Sequence, residues 1–307
     1  MPLPKIAAIV VQYGHWHKTA ECIQALRNSS LAPAWIIAVD NASPDNSCQE
    51  LENWLKGFAS EDLAITAAGT TPEQKPYVLL KSGRNDGYAA GNNLGLKLGV
   101  AWGADAFLII NNDAWPDSAA LEAMWKRLSA SKKPGLCGAL LLYPTPDNLV
   151  QCCAGGHTNY LTGLSSFSGA NLNLVQAQAQ NASEIEKKLN FICGACALAS
   201  ADFVNQVGLL DEGYFLYCEE QDWALRARNR FDLVYAPDAL VYHHEGSSTG
   251  WNRYSFKWAP SFRLMASRLR LAWRHHPHYL PMVALASGYA AGRILLKKLA
   301  TKLFTPD

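Results

Sequence analysis

The 307-residue sequence has no apolar run long enough to cross a bilayer. Its best stretch, "YLPMVALASGYAAGRILL" (279–296), stays apolar for only about twelve residues before Arg293, where roughly twenty are needed. A multi-span membrane protein is thereby excluded. The opening "MPLPKIAAIVVQYG" lacks the basic start and small-residue cleavage site of a signal peptide, so the expectation is a cytoplasmic chain with reduced thiols. Eight cysteines are scattered along the sequence, and the lone C-x-x-C, Cys193 to Cys196, has no second Cys or His pair beside it. A structural role outweighs zinc or redox chemistry there. There is no internal repeat. With 49% hydrophobic and 17% charged residues, the chain is not disordered, and its length suits one large domain or two smaller ones.

The tail lacks acid. Residues 250–307 hold ten Lys/Arg against Asp307 alone, a local charge of +9, so the first 249 residues carry −8 of the net +1. Two regions with different surroundings are implied.

Continuous apolar runs at 6–13, 34–40, 77–81, 106–111 and 135–143 read as strands buried on both faces. Helical segments fall between them near 17–29, 48–58, 89–102 and 118–130. Ser47 and Glu50 form a capping-box pattern, and Pro116-Asp117-Ser118 a helix start. This alternation predicts a mostly parallel sheet covered by helices. Residues 144–190, rich in Gly, Ser, Asn and Gln, read as long loops flanking a short hairpin.

Ligands on such sheets sit beyond the carboxyl ends of the strands, and two of these strands end in polar clusters, "VDNASPDNS" (39–47) and "INNDAWPD" (110–117). Alternation on a strand turns Asn111 and Asp113 the same way and Asn112 the other. An amide and a carboxylate projecting together suit a hard divalent cation, although Asn-Asn-Asp also begins turns. Asp40 with Asn41, Ala42 and Ser43 offers hydrogen-bonding groups to a base, or simply caps a turn.

"RNDGYAAGNNLGLKLG" (84–99) repeats glycine every four residues, at about 1 kcal/mol each against Ala in a helix. Close packing on the sheet explains a bare helix face, and so does phosphate at the helix N-terminus. The spacing excludes the G-x-G-x-x-G dinucleotide fingerprint. In "YCEEQDWALRAR" (217–228), Glu219, Glu220 and Asp222 open a helix, either complementing its dipole or supplying a general base. "VYHHEGSSTG" (241–250) sets two histidines after a strand, as metal ligands or as partly buried residues.

Together and in this order, "VDNASPDNS", "NDGYAAGNNLG", "INNDAWP", "GACALAS", "LLDEGYFLYCEEQDWALRAR" and "VYHHEGSST" resemble the family 2 glycosyltransferases over about residues 5–250, most nearly their bacterial rhamnosyltransferase branch. The resemblance implies an α/β GT-A fold for residues 1–250, with residues 251–307 as a basic, amphipathic helical extension. It also implies inverting transfer from a nucleotide-diphosphate sugar, dTDP-rhamnose or a UDP-sugar, to a glycan or lipid-linked acceptor in polysaccharide synthesis, with Mg²⁺ or Mn²⁺ as cofactor. No nucleic acid is expected.

By that resemblance, Asp40 is the base-binding aspartate, with Asn41, Ser43, Arg84, Asn85, Gly87, Asn92, Asn111 and Asn112 around the donor. Asn111 to Asp113 match a D-x-D motif whose first aspartate is Asn, leaving Asp113 as the main metal ligand and a metal held weakly without the donor. His243 is the later histidine near the metal, with His244 as fallback. Glu220 occupies the position of the base, Glu219 and Asp222 support it, and Trp223 lines the acceptor pocket. A sugar-phosphate nucleotidyltransferase would want a Gly- and Arg-rich loop after the first strand, where "QYGHWHK" stands. A degenerate, non-catalytic nucleotide-sugar binder stays open because of the Asn111 and Glu220 departures. Residues 258–307, mixing arginines with bulky apolar side chains in "FRLMASRLRLAWRHH" (262–276), are expected to hold the protein on the inner, anionic face of the membrane, against the alternative of a soluble helical hairpin packed on the domain.

Overall fold

The structure, a computed structural model, describes residues 3–145, 147–244 and 258–304. Its first half alternates β1 (Ile6–Gln12), α1 (Trp16–Arg27), β2 (Trp35–Asp40), α2 (Ser47–Ala59), β3 (Leu63–Ala67), β4 (Tyr77–Lys81), α3 (Tyr88–Ala101), β5 (Ala106–Asn111), β6 (Ala114–Pro116), α4 (Ala120–Ser129) and β7 (Pro134–Leu142). Then come β8 (Val150–Cys153), β9 (Gly155–Asn159), β10 (Leu164–Phe167), α5 (Leu174–Gln178), α6 (Ala182–Glu186), β11 (Phe191–Ile192), β12 (Cys196–Ser200), α7 (Ala201–Val207), α8 (Glu219–Ala227) and β13 (Asp232–His243). The tail forms α9 (Trp258–His275) and α10 (Leu280–Phe304).

The main sheet runs β3-β4-β2-β1-β5-β12-β7-β13-β6, with β8 added on β7. It is mostly parallel, as expected, and β12 enters antiparallel between β5 and β7. Side chains of β1 divide between two cores: Ile6, Ala8 and Val10 pack toward α1, α2 and α4, while Ala7, Ile9 and Val11 pack toward α3. Burial on both faces explains the unbroken apolar runs.

Glycines 91, 95 and 99 bring α3 onto β1. A Cβ would stand 2.9 Å from Val11 at Gly91, 2.6 Å from Ile9 at Gly95 and 2.9 Å from Ala7 at Gly99. Four helical residues rise about 6 Å and two strand residues about 6.6 Å, so the repeat in α3 keeps step with alternate residues of β1. Packing, not phosphate, accounts for the stripe.

Two local expectations change. The Ser47–Glu50 capping box does not form: the Ser47 hydroxyl accepts from Trp16 N–H (3.3 Å), and Asp45 Oδ1 accepts from Ser47 N–H (3.0 Å). Residues 144–190 hold more structure than loops and one hairpin. Asn173 and Asn181 accept backbone N–H groups at the starts of α5 and α6, so the polar composition of this region reflects caps, and β9 pairs with both β10 and β11.

The tail is a helical hairpin. Leu271 of α9 packs with Tyr214 and Cys218, and Val283 of α10 is fully buried near Gly163. Among the described residues no helix is long and apolar enough to cross a membrane. The boundary expected at residue 250 and the end of the "VYHHEGSSTG" stretch lie outside the described residues.

Candidate active site

Parallel register aligns Gln12 with Asp40 and Val11 with Asn111, so the polar ends of β1, β2 and β5 meet at one edge. Asp40 is buried there, its Oδ1 accepting from Gln12 Nε2 (2.9 Å) and Ser43 Oγ (2.5 Å) and its Oδ2 from Ser43 N–H (3.3 Å). Ser43 Oγ also accepts from Gly14 N–H (2.8 Å). Asn41 Nδ2 donates to Asn85 Oδ1 (3.0 Å) and to the Gly87 carbonyl (3.1 Å). These bonds tie the end of β2 to the start of α3. Gly87, at φ 100°, lies where a Cβ would fall 2.3 Å from the Phe215 carbonyl. Arg84 is solvent-facing and pairs with Asp86.

Asp113 and His243 come together beyond β5 and β13, with Asp113 Oδ1 3.3 Å from His243 Nε2. Asn111 joins them, its Nδ2 3.2 Å from the same nitrogen. Gln151, in β8, decides the tautomer. Its Nε2 donates to the His243 carbonyl (2.6 Å), which leaves its Oε1 to accept from His243 Nδ1 at 2.8 Å. With the proton on Nδ1, the Nε2 lone pair accepts from Asn111 Nδ2 and lies beside the Asp113 carboxylate. A divalent cation bound there would take the place of the amide donor, and an Nδ1–H held by an acceptor is the arrangement a second-layer partner gives a metal-binding histidine. Asn111, Asp113 and His243 therefore fit a divalent ion, with Asp113 and His243 as its ionic and imidazole ligands. No cluster of three or more His, Cys, Asp or Glu of metal-binding type occurs among the described residues, so further oxygen ligands must come from a bound molecule or water. His244 instead lies against the Trp115 ring, 5.1 Å between centroids.

Tyr88 links this centre to the acids. Its hydroxyl lies 2.7 Å from Asn111 Oδ1 and 2.9 Å from the Gly194 carbonyl, and a Cβ at Gly194 would stand 3.9 Å from the Glu220 carboxyl carbon. Glu219 and Glu220 open α8, directly after Tyr217 and Cys218, which adopt φ 72° and 67°. Left-handed conformations cost non-glycine residues about 1–2 kcal/mol each, and here they aim the first turn of α8 at the site. One oxygen of each glutamate, Oε2, is buried without a hydrogen-bond partner among the described residues. Burial pushes Glu220 up to about 7. Burial first, then the neighbouring Glu220, hold Glu219 well above the usual carboxylate range. The pair thus offers one acid poised near neutrality beside one that stays protonated.

Several expected site residues are not brought to this cleft. Asp222 is fully buried on the other side of α8, bound by Arg226 Nε (2.7 Å) and His275 Nε2 (2.7 Å). Trp223, 2% exposed, packs on Phe203 and donates its Nε1–H to the Gly208 carbonyl. It belongs to the core, because successive helical residues point about 100° apart. Asn112 turns inward to Thr19 Oγ1 (3.2 Å), and Asn92 is buried with its Nδ2 on the Tyr88 carbonyl (2.9 Å). Conversely, sequence reasoning passed over Gln12, Tyr88, Gln151 and Gly194. The available signal was polarity out of place: Gln12 ends an apolar strand and Gln151 interrupts "LVQCCA".

The family model described as Glycosyl transferase family 2 matches residues 7–208, ending before α8. The N-acetylglucosaminyl-diphospho-decaprenol L-rhamnosyltransferase of Mycobacterium tuberculosis is 28% identical over 261 residues, 80% of this chain and 78% of the relative. Among solved structures, GalNAc-T7 with UDP, GalNAc and Mn²⁺ superimposes with a TM-score of 0.63 at 11% identity, covering 88% of this chain and 48% of its own. The present chain thus spans about half of that protein. A mannosyltransferase from Pyrobaculum calidifontis in complex with GDP-Man and Mn²⁺ gives 0.57 at 15% identity, over 99% and 76%. These likenesses establish the GT-A-like α/β fold.

Proposed function

The chain belongs to glycosyl transferase family 2, and from that premise we propose that it is an inverting, metal-dependent rhamnosyltransferase that moves the sugar of a nucleotide diphosphate to a hydroxyl of a lipid-linked glycan. The observation that carries the proposal is the unbroken chain of contacts from His243 and Asp113 through Asn111, Tyr88 and Gly194 to Glu220. It places the proposed diphosphate site and the proposed base on one connected network. The relative's name, N-acetylglucosaminyl-diphospho-decaprenol L-rhamnosyltransferase, supports rhamnose as the transferred sugar and a lipid diphosphate as acceptor.

Asp40, oriented by Gln12 and Ser43, accepts from the base, while Asn41 and Asn85 keep the β2–α3 seam closed around the nucleotide. Asp113 and His243 are the residues that would hold Mg²⁺ or Mn²⁺, and such an ion would supply positive charge to the departing diphosphate. Glu220, deprotonated, removes the acceptor hydroxyl proton as that oxygen attacks the anomeric carbon from the face opposite the diphosphate. The C–O bond to the acceptor forms as the bond to phosphate breaks, the configuration inverts, and no covalent enzyme intermediate arises.

The lipid-linked acceptor supports a seat on the inner face of the membrane. Met282, Leu285 and Tyr289 form an exposed stripe on α10, and Phe262 and Trp273 one on α9. Among the described residues, the tail's basic side chains have domain contacts: Arg263 over Phe215, Arg270 and Arg274 on Asp211, and Arg268 beside Gly163. Within those residues the proposed attachment rests on the apolar stripes. The test is transfer from dTDP-rhamnose and UDP-sugars to a short-chain N-acetylglucosaminyl-diphospho lipid with and without Mn²⁺, with the product's anomeric configuration read by NMR. Inverted product only with metal is expected. Donor binding without turnover on any acceptor would favour a non-catalytic binder.

A further inference from the structure

A cleft of about 1260 Å³ opens at the amino-terminal ends of β7 and β13, where Pro134 pairs with Asp232. That is the opposite end of the sheet from Asn111 and His243, and β13 alone runs the distance from Asp232 to His243, on the order of 30 Å at about 3.3 Å per residue. Ligands of open α/β sheets gather at the carboxyl ends, so this cleft is not an extension of the donor site.

Its lining is basic. Arg127, Lys132, Lys133, Lys187, Lys188 and Arg228 face two carboxylates, Glu186 and Asp232, a surplus of four positive charges. Both carboxylates are already committed. Glu186 grips Arg127 with both oxygens at 2.6 Å and accepts from Tyr235 N–H (2.8 Å), and Asp232 accepts from the Ser131 hydroxyl (2.6 Å). Lys187 pairs with Glu184 on the rim, and Lys133 Nζ reaches the Asn229 carbonyl at 3.5 Å. Lys132, Lys188 and Arg228 have no carboxylate within ion-pair distance among the described residues.

Basic residues commonly complement helix C-termini, and α4, α6 and α8 all end near here. Each such end supplies roughly half a negative charge at most, about one and a half in total, which leaves most of the surplus unbalanced. Concave walls of one sign focus the field and concentrate the opposite ion. Asn229 adds an amide to the same walls, whereas the Asn190 amide is held by the Thr158 carbonyl (2.9 Å) and His157 Nδ1 (3.3 Å). Lysines serve as point charges and Arg228 as a planar fork for phosphate oxygens.

We infer that this cleft binds a phosphate-bearing anion at a second site, remote from the sugar-nucleotide site. The inference stands apart from the transferase reading, since neither Asp113 nor Glu220 takes part. The phosphate has two possible sources, a soluble polyphosphate or a lipid headgroup, and both arms of the test use the full chain.

In the first arm, inorganic pyrophosphate is titrated calorimetrically at low salt without divalent metal. In the second, the full chain carrying Trp273→Asp and Leu285→Asp, which removes the exposed apolar stripes of the tail, is sedimented with phosphatidylcholine vesicles with or without phosphatidic acid. Binding that falls about tenfold or more in Lys188→Glu/Arg228→Glu, while Lys75→Glu and Asp113→Ala leave it unchanged, supports the site. Pyrophosphate binding identifies a soluble source, and vesicle binding alone identifies a headgroup. If circular dichroism finds the double variant misfolded, Lys132→Ala takes its place with a smaller loss expected. No binding in either arm overturns the inference, as does equal weakening by Lys75→Glu, loss confined to Asp113→Ala, or vesicle binding that survives every cleft variant.

Discussion

His275 Nε2 of α9 lies 2.7 Å from Asp222 Oδ1 of α8, a contact between the tail and the helix whose first turn bears Glu219 and Glu220. The same face of α9 engages the loop before α8: Ser267 Oγ donates to the Leu216 carbonyl (2.9 Å), Arg270 and Arg274 pair with Asp211, and Leu271 packs on Cys218. The left-handed pair Tyr217–Cys218 is thus braced by a helix distant in sequence. Removing one partner of a buried ion pair costs about 3–5 kcal/mol, so Asp222→Ala is expected to lower the calorimetric melting temperature sharply. His275→Ala should lower kcat with donor affinity intact, and His275→Gln, which keeps an N–H donor, should recover much of it.

Asp222 also carries an acid-stability signature. Burial opposes its ionisation, but hydrogen bonds from His275 and Arg226 outweigh that and lower its pKa. A depressed carboxylate stabilises the fold above its unfolded pKa of about 3.9, and that stability is lost as pH falls through the lower folded value. Urea titrations from pH 5 down to pH 2 should therefore lose stability less steeply in Asp222→Asn than in the parent.

Asp113→Ala should abolish metal-dependent donor binding with little change in fold. Gln151→Leu is the sharper test, because it leaves every proposed ligand in place and removes only the acceptor that fixes the His243 tautomer. Loss of such a partner typically weakens metal affinity about 10–100-fold. Calorimetry with Mn²⁺ and nucleotide reads it, and unchanged affinity would detach Gln151 from the site.

Glu220→Gln should retain donor binding and lose most transfer, since an amide cannot take up the proton. In the parent, burial raises Glu220 to about 7, so the base is ionised only above that value. The rate should climb with pH and level off beyond about 7.5–8. A flat profile from pH 5.5 to 8 would assign the base elsewhere.

Glu219 predicts the opposite sign for stability. Its pKa is raised by burial and by Glu220, so its contribution is complete below the unfolded value of about 4.3 and is lost as pH rises through the folded one. Glu219→Gln should accordingly gain stability over the parent at pH 8, by about 1–3 kcal/mol, and gain little at pH 4. Denaturant midpoints at the two pH values measure the difference.

Trp273→Asp and Leu285→Asp should weaken sedimentation with anionic vesicles while transfer to a water-soluble acceptor persists. Both side chains are exposed, at 69% and 68%, so the fold should tolerate the change.

Much of the fold was legible because it depends on local pattern. Apolar runs buried on both faces read as strands at Ile6–Gln12 and Tyr77–Lys81, and the period of glycines 91, 95 and 99 announced a bare helix face. β3 escaped because an edge strand with none of its residues fully buried shows no continuous apolar run, and β6 because three residues carry no period. The placement of Asp40 and Asp113 at strand ends and of Glu220 in the first turn of a helix was also legible from the order of these stretches.

Which nitrogen of His243 carries the proton, which acid faces the site and which faces the tail were decided only by tertiary structure. Gln151 lies 92 residues from His243, and His275 lies 53 from Asp222. Sequence alone sets the chemical type of a side chain and its period along an element. The direction of a carboxylate at the start of α8, and the charge state burial imposes on it, depend on groups brought near by folding: Tyr88 and Gly194 on one side, Arg226 and His275 on the other.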